Sequence, residues 1–70
     1  MDVLVFSTSV KSMDDVKSLA PLINSLVDSG QWNFALDDSD HILRIVSDQV
    51  KPMTAIALLN NRGFECKELQ

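Results

Sequence analysis

Residues 31–47 read QWNFALDDSDHILRIVS, and this stretch decides the fold. Large apolar side chains alternate with small or polar ones over 31–36, which predicts a strand with one buried face. Turn-forming polar residues follow at 37–40, and residues 41–47 are rich in branched aliphatic side chains. Because the two runs are so close together, the stretch predicts a β-hairpin.

A strand and a helix are predicted before the hairpin. Residues 2–7 are a β-branched and aromatic run, which predicts a first strand. Ser12 can accept a hydrogen bond from the amide three residues on, and Asp15 at that position makes a variant of the capping box. Pro21 interrupts the apolar stripe that follows, but it lies on the polar side. We therefore expect one helix over 12–28, bent at Pro21 and ended by Gly30.

A second helix and a last strand are predicted after the hairpin. Pro52 suits the first helical position, and Gly63 ends the helix, with Phe64 able to fold back as in a Schellman cap. Residues 64–69 predict a short final strand. The order β-α-β-β-α-β predicts an α+β sandwich of the ferredoxin-like type, with a four-stranded antiparallel sheet and both helices on one face. We expect a single domain over residues 1–70.

The composition excludes several classes of protein. With 70 residues of which 46% are hydrophobic, the chain can form one core. A formal net charge of −4 with only six Lys and Arg argues against a nucleic-acid partner. The single cysteine excludes an internal disulfide and a four-thiolate metal site. No apolar run approaches the roughly 20 residues of a membrane span, and the start lacks the basic residues of a signal peptide, so we expect a cytoplasmic protein without a membrane partner.

An acidic group, Cys66 and His41 could carry chemistry, and a structural role is favoured for each. The acidic group is that of the turn: Asp37, Asp38, Asp40 and Asp48. This group lacks the central glycine of an EF-hand loop and is expected to be a solvated turn. Cys66 is expected to point toward the helices as inert packing, and His41 to be a solvated strand end. With no catalytic triad and no glycine-rich loop, the sequence predicts neither an enzyme nor a bound cofactor.

Nearly the whole chain resembles the heavy-metal-associated domains of copper chaperones and metal-pumping ATPases. Besides the element order, the matching residues are Val16, Leu19, Ile23, Gly30, Val50-Lys51-Pro52 and Asn61-Arg62-Gly63-Phe64-Glu65-Cys66. The family's metal motif is Met-x-Cys-x-x-Cys, in the loop that leads into the first helix. If Val16 is the apolar residue after this motif, Ser12 and Asp15 occupy the two cysteine positions, Val10 the methionine position and Ser9 that of the preceding glycine. The resemblance therefore implies a metallochaperone-like fold without a metal at these positions.

The predicted fold leaves one sheet face uncovered, and this face is the best candidate for function. If Leu43 and Ile45 point into the core, the neighbouring residues of the hairpin point outward: Ile42, Arg44, Val46 and Ala35. The first strand is apolar on both sides, so either Val3 and Val5 or Leu4 and Phe6 join them. An apolar patch of this kind, rimmed by charge, marks interaction sites. We expect a non-catalytic interaction or regulatory module that binds an unknown protein partner or forms a homodimer.

The alternative function is that of an atypical metal-binding or metal-carrier protein. Its ligands would be Cys66, His41 or carboxylates rather than the family's two thiolates. A metal that binds only the folded chain would raise its thermal stability, so the two functions differ in a simple measurement.

Overall fold

The computed structural model describes residues 2–27, 31–37 and 39–69, and within these ranges the chain forms four strands and two helices. In chain order they are β1 (Asp2–Thr8), α1 (Met13–Val27), β2 (Gln31–Ala35), β3 (Ile42–Ser47), α2 (Pro52–Asn61) and β4 (Cys66–Leu69). All strand pairs are antiparallel, and the sheet order is β2-β3-β1-β4. The predicted ferredoxin-like α+β fold is confirmed.

The core lies between one face of the sheet and both helices. Phe6, Leu43 and Ile45 form its sheet side, and none of them has any exposed surface. The helix side consists of Leu19, Ile23 and Val27 from α1 and Ala55 and Leu59 from α2. Since all these side chains belong to one buried cluster, the two helices cover the same face and leave the other uncovered.

The start of α1 is fixed by the cap that the sequence predicts. The Asp15 amide donates to Ser12 Oγ at 3.2 Å, and the Val16 amide donates to the Ser12 carbonyl at 3.2 Å. The Asp15 carboxylate accepts from the Lys11 amide at 3.4 Å, one residue earlier than in a standard capping box. The helix continues through the exposed Pro21 to Val27, so the prediction of one helix rather than a late start is confirmed.

The end of α2 is a Schellman cap. Gly63 has a φ of 86°, in the left-handed region that glycine adopts without strain. The Gly63 amide donates to the Asn60 carbonyl and the Phe64 amide to the Leu59 carbonyl, both at 3.0 Å, which is the paired bonding of this motif. Phe64 then packs against the core as a half-buried side chain.

The predicted start of β4 at residue 64 is wrong, because the strand begins at Cys66. Phe64 is held by the Schellman cap, and Glu65 is held by the loop after β1. The Glu65 amide donates to Ser9 Oγ at 2.8 Å, and the Ser9 amide donates to the Glu65 carbonyl at 3.1 Å. The two residues before β4 therefore serve as an anchor rather than as sheet.

The hairpin is also shorter than predicted. β2 ends at Ala35, and β3 begins at Ile42 rather than at His41. His41 has a φ of 48°, a left-handed conformation that cannot continue a strand and that histidine tolerates better than most residues. β1 in turn extends one residue further than predicted, to Thr8, which pairs with Cys66. The predicted helix stop at residues 28–30, including Gly30, and Asp38 of the turn lie outside the described residues.

Candidate functional site

The uncovered side of the sheet, called the open face here, is formed by alternate residues of all four strands. The strand register and the buried positions identify its residues as Val3, Val5, Ser7, Gln31, Asn33, Ala35, Ile42, Arg44, Val46, Lys67 and Leu69. The outward orientation predicted for Ile42, Arg44, Val46 and Ala35 is thus observed. The choice that the sequence leaves open on β1 is resolved, since Phe6 is fully buried and Val3 and Val5 point outward.

The apolar residues of the open face form a group across β3, β1 and β4 and a separate pair across β2 and β3. Val46 lies directly opposite Val3, and Ala35 lies opposite Ile42. Val3 is 57% exposed and Leu69 38% exposed, while Val5 is half-buried. Because Leu69 is opposite Val5, the apolar surface runs from β3 across β1 to β4.

The charges on the open face are opposite in sign to the charge of the chain. Among its residues Arg44 and Lys67 are cationic and none is acidic, although the chain carries ten Asp and Glu and a net charge of −4. Arg44 is exposed and central, with Val5 and Asn33 as its cross-strand neighbours. It also borders a shallow depression of about 260 Å³ lined by Gln31, Trp32, Asn33, Arg44 and Val46.

The loop between β1 and α1, to which the sequence resemblance assigns the metal motif, serves to fix the fold. Ser12 Oγ and the Asp15 carboxylate accept the backbone hydrogen bonds that start α1. Val10, which the resemblance assigns to the methionine position, has no exposed surface, and Ser9 is hydrogen-bonded to the segment before β4. Each of these side chains already has a structural role.

Cys66 lies on the core side of β4, as predicted, and is half-buried against the core. Burial raises the pKa of the Cys66 thiol from 9.0 to about 11, because the thiolate would lose its hydration. The thiol is therefore protonated near neutral pH, which disfavours both nucleophilic attack and metal binding. A depression of about 460 Å³ lies beside it, lined by Ser7, Thr8, Asn60, Glu65, Cys66 and Lys67.

His41 is half-buried, so its prediction as a solvated strand end is wrong. Its Nδ1 atom is buried and has no hydrogen-bond partner among the described residues, and its carbonyl accepts from Thr8 Oγ1 at 2.6 Å. Thr8 also pairs with Cys66 on its other side. His41 and Cys66 therefore flank one residue of a central strand, and their backbones lie about two strand spacings, or about 10 Å, apart across the sheet. The sequence does not indicate this proximity, because it depends on the register of two strand pairs.

In the described part of the turn region, the carboxylates are not grouped with these residues as a metal site would require. Asp37, Asp40 and Asp48 are exposed, and the Asp40 carbonyl accepts from the Thr8 amide at 3.1 Å. Within 2–27, 31–37 and 39–69, no three His, Cys, Asp or Glu residues are grouped as metal ligands would be. The ligands named for the alternative function are thus not brought together in the described part of the chain.

Comparison with known proteins gives no relative for this chain. No family model matches it. No curated protein and no solved structure matches it either. In the described residues, neither helix is both long and apolar enough to cross a membrane. The geometry of the open face is therefore the main basis for a function.

Proposed function

We propose that this chain is a non-catalytic protein-interaction module that docks a partner protein on its open face. The observation that carries the proposal is the composition of that face. Val3, Val5 and Val46 form an apolar surface, and the described strands place Arg44 and Lys67 but no acidic residue beside it. In a chain of net charge −4, such a segregated surface is typical of a recognition site.

The chemistry of the face favours one kind of partner. An apolar surface with carboxylates placed to meet Arg44 and Lys67 would be complementary to it in both respects. Face-to-face stacking of two copies is disfavoured. Because Arg44 lies near the centre of the face, such a stack would bring two guanidinium groups together in a partly desolvated interface.

The resemblance to heavy-metal-associated domains fits this proposal, with the fold of that family present and its metal-binding site absent. The capping role of Ser12 and Asp15, the burial of Val10 and the raised pKa of Cys66 all support the loss of a soft-metal site. They also support a function that needs no thiolate, and hence binding rather than catalysis.

The test is a double variant of the open face, Ile42→Thr with Val46→Lys. We expect this variant to fold, because both side chains lie outside the buried core, and to lose partner capture in a pull-down from the source cells. Met53→Lys is the control, since Met53 is 80% exposed on α2 and the substitution adds the same single charge. If the double variant and the control recover the same proteins in the same amounts as the wild type, the open face is not the docking surface.

A further inference from the structure

The two edges of the sheet differ in how they are protected against pairing with another strand. β4 forms one edge and carries two charges, with Lys67 on the open face and Glu68 opposite Phe6 on the core side. Edge charges, above all charges that point inward, are devices by which proteins prevent edge-to-edge association.

β2 forms the other edge and has none of these devices. Its sequence, QWNFA, contains no charged residue, no proline and no glycine. It pairs with β3 over all five residues without a bulge, so its outer edge is regular. The outer backbone groups of such a strand are a template for a further strand.

The sequence of β2 is also complementary to itself. If two copies of β2 pair antiparallel about Asn33, then Trp32 of one copy lies opposite Phe34 of the other, and Gln31 lies opposite Ala35. Trp32 and Phe34 are both half-buried in one copy, with their rings edge to face at a centroid distance of 5.9 Å. Pairing would place an aromatic ring of the second copy beside each of them, and aromatic cross-strand pairs stabilise sheets.

We propose that β2 pairs antiparallel with β2 of a second copy of this chain, about a twofold axis at Asn33, to form a continuous eight-stranded sheet. The occupant is a second copy because the pairing sets Trp32 against Phe34 and, within Gln31–Ala35, brings no like charges together, although each chain is acidic. Pairing stops at the dimer because the outer edge is then β4, which its charges protect. This inference rests on the edge of the sheet and is independent of the docking role of the open face.

The register of the dimer is tested by disulfide trapping in a Cys66→Ser background. In the proposed pairing the two copies of Asn33 face each other directly, at the Cα separation that a disulfide requires. We expect Asn33→Cys to form a covalent dimer under mild oxidation. Gln31→Cys is the matched control on the same strand and face, and its two copies would lie about 14 Å apart, too far for a disulfide.

Sedimentation over a range of concentrations tests the association of the unmodified chain. We expect the wild-type mass to rise from 7.8 kDa toward twice that value, and Asn33→Lys, which places two cations opposite each other, to remain at the monomer mass. Asn61→Lys, an exposed site on α2, is expected to behave as wild type. The proposal is overturned if the wild type stays monomeric, if Asn33→Lys associates equally, or if Asn33→Cys is trapped no faster than Gln31→Cys.

Discussion

Replacing Phe6 by alanine is expected to lower the free energy of unfolding by about 3–5 kcal/mol, the range for an aromatic side chain removed from a core. Phe6 has no exposed surface and lies on a central strand opposite Leu43, beneath both helices. A domain of 70 residues has a total stability of roughly 4–10 kcal/mol. The variant is therefore expected to lose roughly half of the total stability, which urea denaturation followed by circular dichroism would measure as a lower midpoint.

Val3→Ala is the matched control for this prediction. Val3 lies on the same strand but on the open face, and it is 57% exposed. An exposed position of this kind usually changes stability by no more than about 0.5 kcal/mol. If the two variants lose similar stability, the assignment of the two faces of β1 is wrong.

The second large effect is expected from restoring two thiolates at the start of α1. The variant Ser12→Cys with Asp15→Cys is expected to bind one equivalent of Cu(I) in competition with a chelator, and the wild type none. Both positions lie at a helix N-terminus, where the backbone dipole lowers thiol pKa values, and thiolates are the ligands that Cu(I) prefers. Loss of the Ser12 cap should cost about 0.5–2 kcal/mol, so folding is checked by circular dichroism.

Two controls test whether both new thiolates are needed and whether Cys66 takes part in Cu(I) binding. Ser12→Cys alone supplies one thiolate at the loop and is expected to bind Cu(I) far more weakly than the double variant. A Cys66→Ser version of the double variant is expected to bind Cu(I) equally well, because the half-buried Cys66 is not one of the two new ligands. Tight binding by the wild type would contradict the proposed loss of the metal site. Failure of the double variant to bind would contradict the resemblance of this loop to the family's metal loop.

Much of the fold follows from local signals in the sequence. Ser12 and Asp15 indicate the start of α1, and Gly63 followed by Phe64 indicates the end of α2. These predictions succeed because caps depend on a few neighbouring residues. The strand ends are predicted less well, since β4 is shortened by a contact with Ser9 that is distant in sequence.

In the candidate site too, features that depend on neighbouring residues are predictable from the sequence, and features that depend on distant contacts are not. The alternation in β3 is enough to place Ile42, Arg44 and Val46 on one face, and the structure agrees. The side of β1 that joins them cannot be predicted from its own sequence, because both sides are apolar. The predicted orientation of Cys66 also implies that Lys67 points outward, whereas the residues that lie beside Lys67 and Arg44 become evident only once the strand registers are known.

The most direct test of the docking role is photo-crosslinking in the source cells. A photoreactive phenylalanine analogue is placed at Val46 on the open face and, in a separate variant, at the exposed Met53 on α2. The proposal predicts a discrete covalent adduct with a partner protein from position 46 and none from position 53. Equal adducts from both positions, or none from position 46 when the chain is folded and present at its normal level, would contradict it.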